Sequence, residues 1–273
     1  MSSILTNTSA MVALQNLKSI NMDLSKTQNE ISTGKSISSA SDNASMWAIS
    51  KVMESDVAGF SAISKSLALG ESTVAVAAAG ADKIVEILKE MKEKIVTATG
   101  ENVDHAKIAA DVTSLKDQVT SIIGAAQFNG KNLLDTAGGD MKVLSSLDRT
   151  SAAVTATSIT VKSVDFTTTL DMTTVDVADS TKANDSLIVV EALIKTAIEG
   201  AAALGSSKGH IEDQQKFISK LVDAMKSGIG VLVDANMEEA SARLQALQVQ
   251  QQLGTQSLSI ANKAPQMILQ LFK

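Results

Sequence analysis

The chain has 273 residues, a formal net charge of −6 and no cysteine, which excludes a disulfide framework, a thiolate metal site and a cysteine nucleophile. Only His105 and His210 carry imidazole, so a histidine-rich metal centre is excluded as well, and the acidic balance argues against nucleic acid as a partner. Aromatics are 2% and hydrophobics 44%, so the core must be aliphatic, and a single proline, where average usage gives roughly 14, predicts long unbroken helices.

Residues 1–17 contain no charged side chain. They lack a basic leader and an apolar block, so they do not read as a cleavable secretory signal. From Ala10 a 3/4 spacing runs through Leu14, Leu17, Asn21, Leu24, Gln28 and Ile31. This predicts one helical stripe with two polar members, and polar residues at such positions fix register at some cost in stability. Gly34 suits a helix C-cap. Residues 35–45 read as a loop, with Asp42 or Asn43 capping the next helix.

The strongest periodicity follows. Phe60, Ile63, Leu67, Gly70, Val74, Ala77, Ala81, Ile84, Leu88, Met91 and Ile95 hold the 3/4 step without a break. A helix over about 44–98 would be on the order of 80 Å long and must lie in a bundle or coiled coil. A third stripe has Ile108, Val112, Leu115, Val119, Ile122 and Ala126, closing at the turn signal Asn129-Gly130.

Residues 135–183 lose the helical step and are rich in Thr, Ser and Val. Ser158–Lys162 alternates as a strand, and Met141–Leu144 and Phe166–Leu170 are further strand candidates, giving one or two hairpins. The helix returns from Leu187 through Val190, Ile194, Ala197, Leu204, Ile211 and Ile218 to Leu232. The stripe then slips by one residue and resumes at Val233, Met237, Ala240, Leu244, Leu247, Gln251, Gly254, Leu258 and Ala261, which predicts a stutter or domain boundary. Pro265 interrupts the ladder, so a kink is expected there. Residues 244–262 are again free of charge, but their six glutamines are too polar for a membrane span.

The expected fold is mainly α: a nested antiparallel long-helix bundle or coiled coil, with a small β-hairpin region at the distal turn. The expected division is a terminal coiled-coil domain (1–43 and 233–273), a helical bundle domain (44–134 and 184–232) and a hairpin or variable outer region (135–183). No phosphate loop or dinucleotide fingerprint occurs. Glu212-Asp213 and Glu238-Glu239 read as solvated helix faces, because neighbouring helical positions point about 100° apart. The run Glu90–Lys94 reads as an exposed face with an i,i+4 pair. No catalytic group, metal site or cofactor is expected. Trp47, the single indole, is either a packing residue at a helix start or an intersubunit anchor. The two charge-free ends bury too little against each other to offset ordering entropy, so they are expected to fold against further copies.

These residues carry a family resemblance. The stretch Asn7-Thr8-Ser9-Ala10 with Ala13-Leu14, then Ile31-Ser32-Thr33-Gly34-Lys35 and Ser39-Ala40-Ser41-Asp42-Asn43-Ala44, resembles the N-terminal signature of bacterial flagellins. Gln127-Phe128-Asn129-Gly130-Lys131-Asn132-Leu133-Leu134 is similar to a further family stretch. Val233–Ala240, Gln251-Gln252-Leu253-Gly254 and Ser259–Gln266 resemble the C-terminal signature. The resemblance implies a short flagellin with a reduced outer domain. It implies a subunit that polymerises into the helical filament as its terminal helices order, and that reaches the outside by flagellar type III export. Implied partners are many copies of itself, hook-associated junction and cap proteins and an export chaperone, with neither nucleic acid nor membrane. Subunit packing is assigned to Leu14, Leu17, Leu24, Ile31, Leu244, Leu247, Leu253, Leu258, Ile260, Leu269 and Leu271.

Two departures stand out. Glu30 occupies a place where many members have Arg, and Glu90 replaces an Arg of the receptor-sensed stretch, so weak activation of the innate receptor is expected. A hook–filament junction protein is the nearest alternative reading. A surface module for glycan or receptor using 135–183 is a further one, weakened by the presence of only Phe166 as an aromatic there.

Overall fold

The computed structural model describes residues 7–149 and 153–271, without the side chains of Val154 and of 264–271. Two compact units divide the chain: a terminal unit (1–57 and 224–273) and a middle unit (58–223). The long helices α2 (Ala44–Ala98) and α5 (Ser180–Val233) contribute to both.

The middle unit is built on the α2 stripe. All eleven stripe residues from Phe60 to Ile95 are buried. They share a core with Val112, Leu115 and Val119 of α3 (His105–Ala125) and with Val190, Ile194, Leu204, Ile211 and Ile218 of α5. Each fully buried Leu or Ile contributes about 1.5–3 kcal/mol, so this aliphatic column dominates the unit. Lys94, expected to pair with Glu90 along its own helix, instead reaches Asp111 of α3 at 2.9 Å, and Lys92 reaches Glu191 of α5 at 2.5 Å.

After α3, the strands β1 (Gln127–Phe128) and β2 (Lys131–Asn132) pair around the Asn129-Gly130 turn, both of whose residues have positive φ. This is the turn those two residues predict. Strands β3 (Met141–Arg149) and β4 (Val154–Val161) form an antiparallel hairpin with a bulge at Ser145. The bulge frees the Ser145 carbonyl, which accepts from Gln214 Nε2 of α5 at 2.8 Å. The hairpin lies against α2 at Gly70, where a Cβ would stand 2.6 Å from Val143 Cγ2. Gly70 is therefore a contact position in the stripe rather than a weak point.

One strand expectation is overturned. Residues 166–170 are not extended: Phe166–Thr169 forms the short helix α4, capped by Asp165, whose side chain accepts from Thr168 N at 3.1 Å. Phe166 and Leu170 are both buried, four apart as one face of a helical turn requires.

The terminal unit pairs α1 (Thr8–Thr33) with α6 (Met237–Leu271). Gly34, at φ 70°, ends α1 in the left-handed conformation that glycine adopts without penalty. Asn43 Oδ1 caps α2 by accepting from Met46 N at 3.1 Å. The one-residue slip of the C-terminal stripe marks a real break: α5 stops at Val233 and α6 starts at Met237. A β-bridge between Lys35 and Asp234 occupies the gap, and Val233 O accepts from Ser36 N at 2.8 Å. Asn236 caps α6, and Glu238 and Glu239 follow in its first turn, where the helix dipole favours negative charge. The α6 span continues through Pro265.

Candidate functional site

The terminal helix pair starts from Asn7, which serves both helices. Its Oδ1 accepts from Ala10 N at 3.0 Å, capping α1, and its Nδ2 donates to Ala261 O of α6 at 2.8 Å. Further along, Gln251 Nε2 donates to Asn21 Oδ1 at 2.7 Å, and Arg243 Nη1 lies 3.9 Å from Glu30. These three ties fix the helices as antiparallel. Gly254 leaves room for Leu17 of α1, whose Cδ1 would stand 3.2 Å from a Cβ at that position.

The inward face of α1 is Ala13, Leu17, Ile20, Leu24, Thr27 and Ile31, all half-buried or buried. The sequence reading placed the seam one step aside, on Leu14, Asn21 and Gln28, which are exposed. On α6 the inward face holds Ala240, Leu244, Leu247, Gln251, Gly254, Leu258 and Ala261, as the spacing predicts.

The expected packing residues therefore fall into two groups. Leu17, Leu24, Ile31, Leu244, Leu247 and Leu258 lie on the inward faces, whereas Leu14, Leu253 and Ile260 are exposed. The side chains of Leu269 and Leu271 lie outside the described ones. Trp47 is half-buried in the first turn of α2, with its backbone N–H bonded to Asn43 O at 2.9 Å.

Leu253 and Ile260 belong to a pattern the sequence reading did not isolate. Val249, Leu253, Gln256 and Ile260 step 4-3-4 and make a second stripe, half a turn round α6 from the inward one at 100° per residue. Its three apolar members are 56%, 58% and 64% exposed. On α1, Met11 and Met22 are eleven residues apart, on one line opposite the inward face, with Leu14 flanking them. Twelve of the eighteen exposed large hydrophobics among the described residues lie in the terminal unit. A groove of about 650 Å³ between α1 and α6, lined by Val12, Ala13, Ile20, Leu253 and Gly254, adds to this apolar surface.

Acidic side chains singled out in the sequence are held in ion pairs on exposed helix faces. Glu239 pairs with Arg243 at 2.8 Å, and in the middle unit Glu212 and Asp213 pair with Lys208 and Lys216 at 3.5 and 3.3 Å. Among the described residues no cluster of His, Cys, Asp or Glu fits a metal ion, and no helix is long and apolar enough to cross a membrane. In the receptor-stretch equivalent, Leu88 and Met91 are core residues and Glu90 is exposed.

A chain whose terminal segments form one helix pair, with an apolar inward face and large apolar residues exposed on its outward face, has the build of a structural protein that assembles through its termini. Comparison with known proteins agrees. The bacterial flagellin N-terminal helical region matches residues 4–138, and the flagellin C-terminal helical region matches 187–272. The chain is 44% identical to a flagellin of Brucella melitensis biotype 1 over the whole length of both. It is 37% identical to flagellin FljM of Caulobacter vibrioides over all of this chain and 99% of that one. In fold it is similar to the crystal structure of Bacillus cereus flagellin, with TM-score 0.50 and 20% identity over 56% of this chain and 88% of that one. It is also similar to a putative flagellar hook-associated protein from Vibrio parahaemolyticus, with TM-score 0.55 and 13% identity over 70% and 99% of the two chains. The chain belongs to the bacterial flagellin family. It is a structural subunit, exported and polymerised with copies of itself into the extracellular flagellar filament. The full-length relatives are flagellins, so the junction-protein reading is not favoured.

Proposed function

We propose that the terminal unit is the polymerisation element and that neighbouring copies cover its outward faces. The observation that carries this is the double-sided α6: one apolar stripe meets α1, and the other, Val249, Leu253 and Ile260, is open. A helix that is apolar on two opposite sides is built to be sandwiched. Left alone, the pair lacks one of its two layers, so its order deepens as subunits add. Leu17, Leu24, Ile31, Leu244, Leu247 and Leu258 hold the pair together, Leu14, Leu253 and Ile260 face the neighbour, and Trp47 is a further intersubunit anchor. The role is mechanical rather than catalytic, with the middle unit as the helical bundle and 135–183 as its outer region. Hook-associated junction and cap proteins and an export chaperone are the further partners.

Two variants test the proposal. Removing residues 1–30 should leave a soluble, mostly helical monomer that seeds cannot elongate. Replacing Leu253 and Ile260 by Asp leaves the inward face of α6 untouched and should also abolish seeded elongation. Filaments formed by either variant at the normal concentration would overturn it.

A further inference from the structure

The chain has eleven methionines and no cysteine, so its oxidisable sulfur is thioether alone. Those thioethers are unevenly placed. Among the described residues every exposed methionine, namely Met11, Met22, Met46 and Met237, lies in the terminal unit. In the middle unit Met91 is fully buried, and Met141 and Met172 are half-buried.

Met11 and Met22 are the most open of the set, at 64% and 59%, and they share the outward line of α1. In the monomer these sulfurs face water. In the filament, on the reading proposed above, they face a neighbouring copy. Methionine suits such a contact because its unbranched chain adapts to the opposing surface. The same choice carries a chemical liability, because a thioether accepts an oxygen atom where leucine does not.

Resting on that reading, we propose that Met11 and Met22 are a reversible oxidation site that controls assembly. The co-reactant is a peroxide, such as hydrogen peroxide. A sulfur lone pair attacks one oxygen of hydrogen peroxide, the S–O bond forms as the O–O bond breaks, and the proton on the transferred oxygen passes to the departing hydroxide, which leaves as water. The sulfur loses two electrons and the peroxide gains them. The product sulfoxide is a polar acceptor that replaces an apolar contact on a line shared with the exposed Gln15 and Lys18. Burying such a group without a donor weakens association by about tenfold or more. Methionine sulfoxide reductases acting on both epimers, with a dithiol as reductant, return the thioether and with it the packing surface: the dithiol becomes a disulfide and the oxygen leaves as water.

The experiment treats full-length monomer with hydrogen peroxide until peptide mapping finds sulfoxide at positions 11 and 22 while Met91 stays intact. The critical concentration for seeded polymerisation is then measured. It should rise about tenfold or more and return to its starting value after treatment with both reductases. The M11L/M22L double variant is measured against its own untreated critical concentration, which should not change after the same peroxide dose. Circular dichroism of the treated monomer separates loss of assembly from loss of fold. The proposal is overturned if the doubly oxidised chain assembles at the untreated critical concentration, or if M11L/M22L loses assembly as far as the unsubstituted chain does. Failure of the untreated chain to elongate seeds would instead sink the assembly reading itself.

Discussion

Asn21 and Gln251 lie 230 positions apart and meet across the terminal helix pair, Gln251 Nε2 donating to Asn21 Oδ1 at 2.7 Å. The bond sits at the open edge of the contact, so its strength is that of a solvated pair, about 0.5–1.5 kcal/mol. Its larger effect is on register. Inward faces with 3/4 spacing match again after a slip of seven residues, and a polar pair that fits one register only removes that degeneracy. Gln251→Leu should cost about 1 kcal/mol or less of helix-pair stability while letting subunits assemble in more than one register. Electron microscopy should then show filaments of mixed form. Uniform filaments indistinguishable from the unsubstituted ones would count against a register role.

A second tie predicts a charge dependence. Glu30 is only 12% exposed at its side chain and faces Arg243 Nη1 at 3.9 Å, while Arg243 Nη2 also holds Glu239 at 2.8 Å. Glu30→Arg places two guanidinium groups together in a half-covered site and should destabilise the pair by about 1–2 kcal/mol, since Arg243 is itself half exposed and screened. The swap E30R/R243E should recover part of that loss, limited by the new repulsion from Glu239. A denaturation cycle over the four proteins measures the coupling. No recovery in the double variant would show that Glu30 acts through its packing and not its charge.

Two glycines look alike in the sequence and should respond differently to the same methyl group. At Gly70 a Cβ would meet Val143 Cγ2 and Cγ1 at 2.6 and 2.8 Å. Val143 is a β-branched residue held in a hairpin and has little room to turn. Gly70→Ala should therefore lower the stability of the middle unit by about 1–3 kcal/mol. At Gly254 the nearest atom is Leu17 Cδ1 at 3.2 Å, the far end of a flexible side chain. There the gain in helix propensity, about 1 kcal/mol, offsets the squeeze, and Gly254→Ala should be neutral or slightly stabilising. Thermal unfolding of the two variants decides, and equal losses at both sites would contradict the argument.

The reach of the sequence is visible in these same elements. The α2 stripe is legible to the residue because ten apolar side chains and Gly70 keep one step, whereas every other phase is interrupted by charged or hydroxyl side chains. In α1 two phases compete: Leu14, Asn21 and Gln28 against Ala13, Ile20 and Thr27. Small and polar residues fill both, so spacing alone did not choose, and the structure buries the second. Residues 166–170 were read as strand from their threonines, whereas the capping Asp165 outweighs local propensity. Val249 falls outside the single 3/4 stripe of α6 because that helix carries two stripes on opposite sides. The long-range ties, Asn21 with Gln251 and Lys35 with Asp234, are products of folding that no local pattern announces.

The loop between α1 and α2 should respond to acid through Asp42. Its carboxylate is held below its ordinary value, first by the Ser39 backbone N–H, then by the Ser39 hydroxyl and the Ser38 N–H, against a smaller desolvation effect. The distances are 2.9 Å to Ser39 N and 3.1 Å to Ser38 N. Because folding favours the charged form, the stabilisation is complete above the ordinary Asp value of 3.8 and is lost as pH falls through the lower folded value. Amide exchange at Ser38 and Ser39 should therefore quicken, relative to an exposed reference amide, on acidification below about 4. Asp42→Asn should remove that acid dependence while leaving α2 capped by Asn43. Relative protection at Ser39 that stays flat down to about pH 2 would mean that the loop is held by its Val233 and Ala235 bonds and not by the carboxylate.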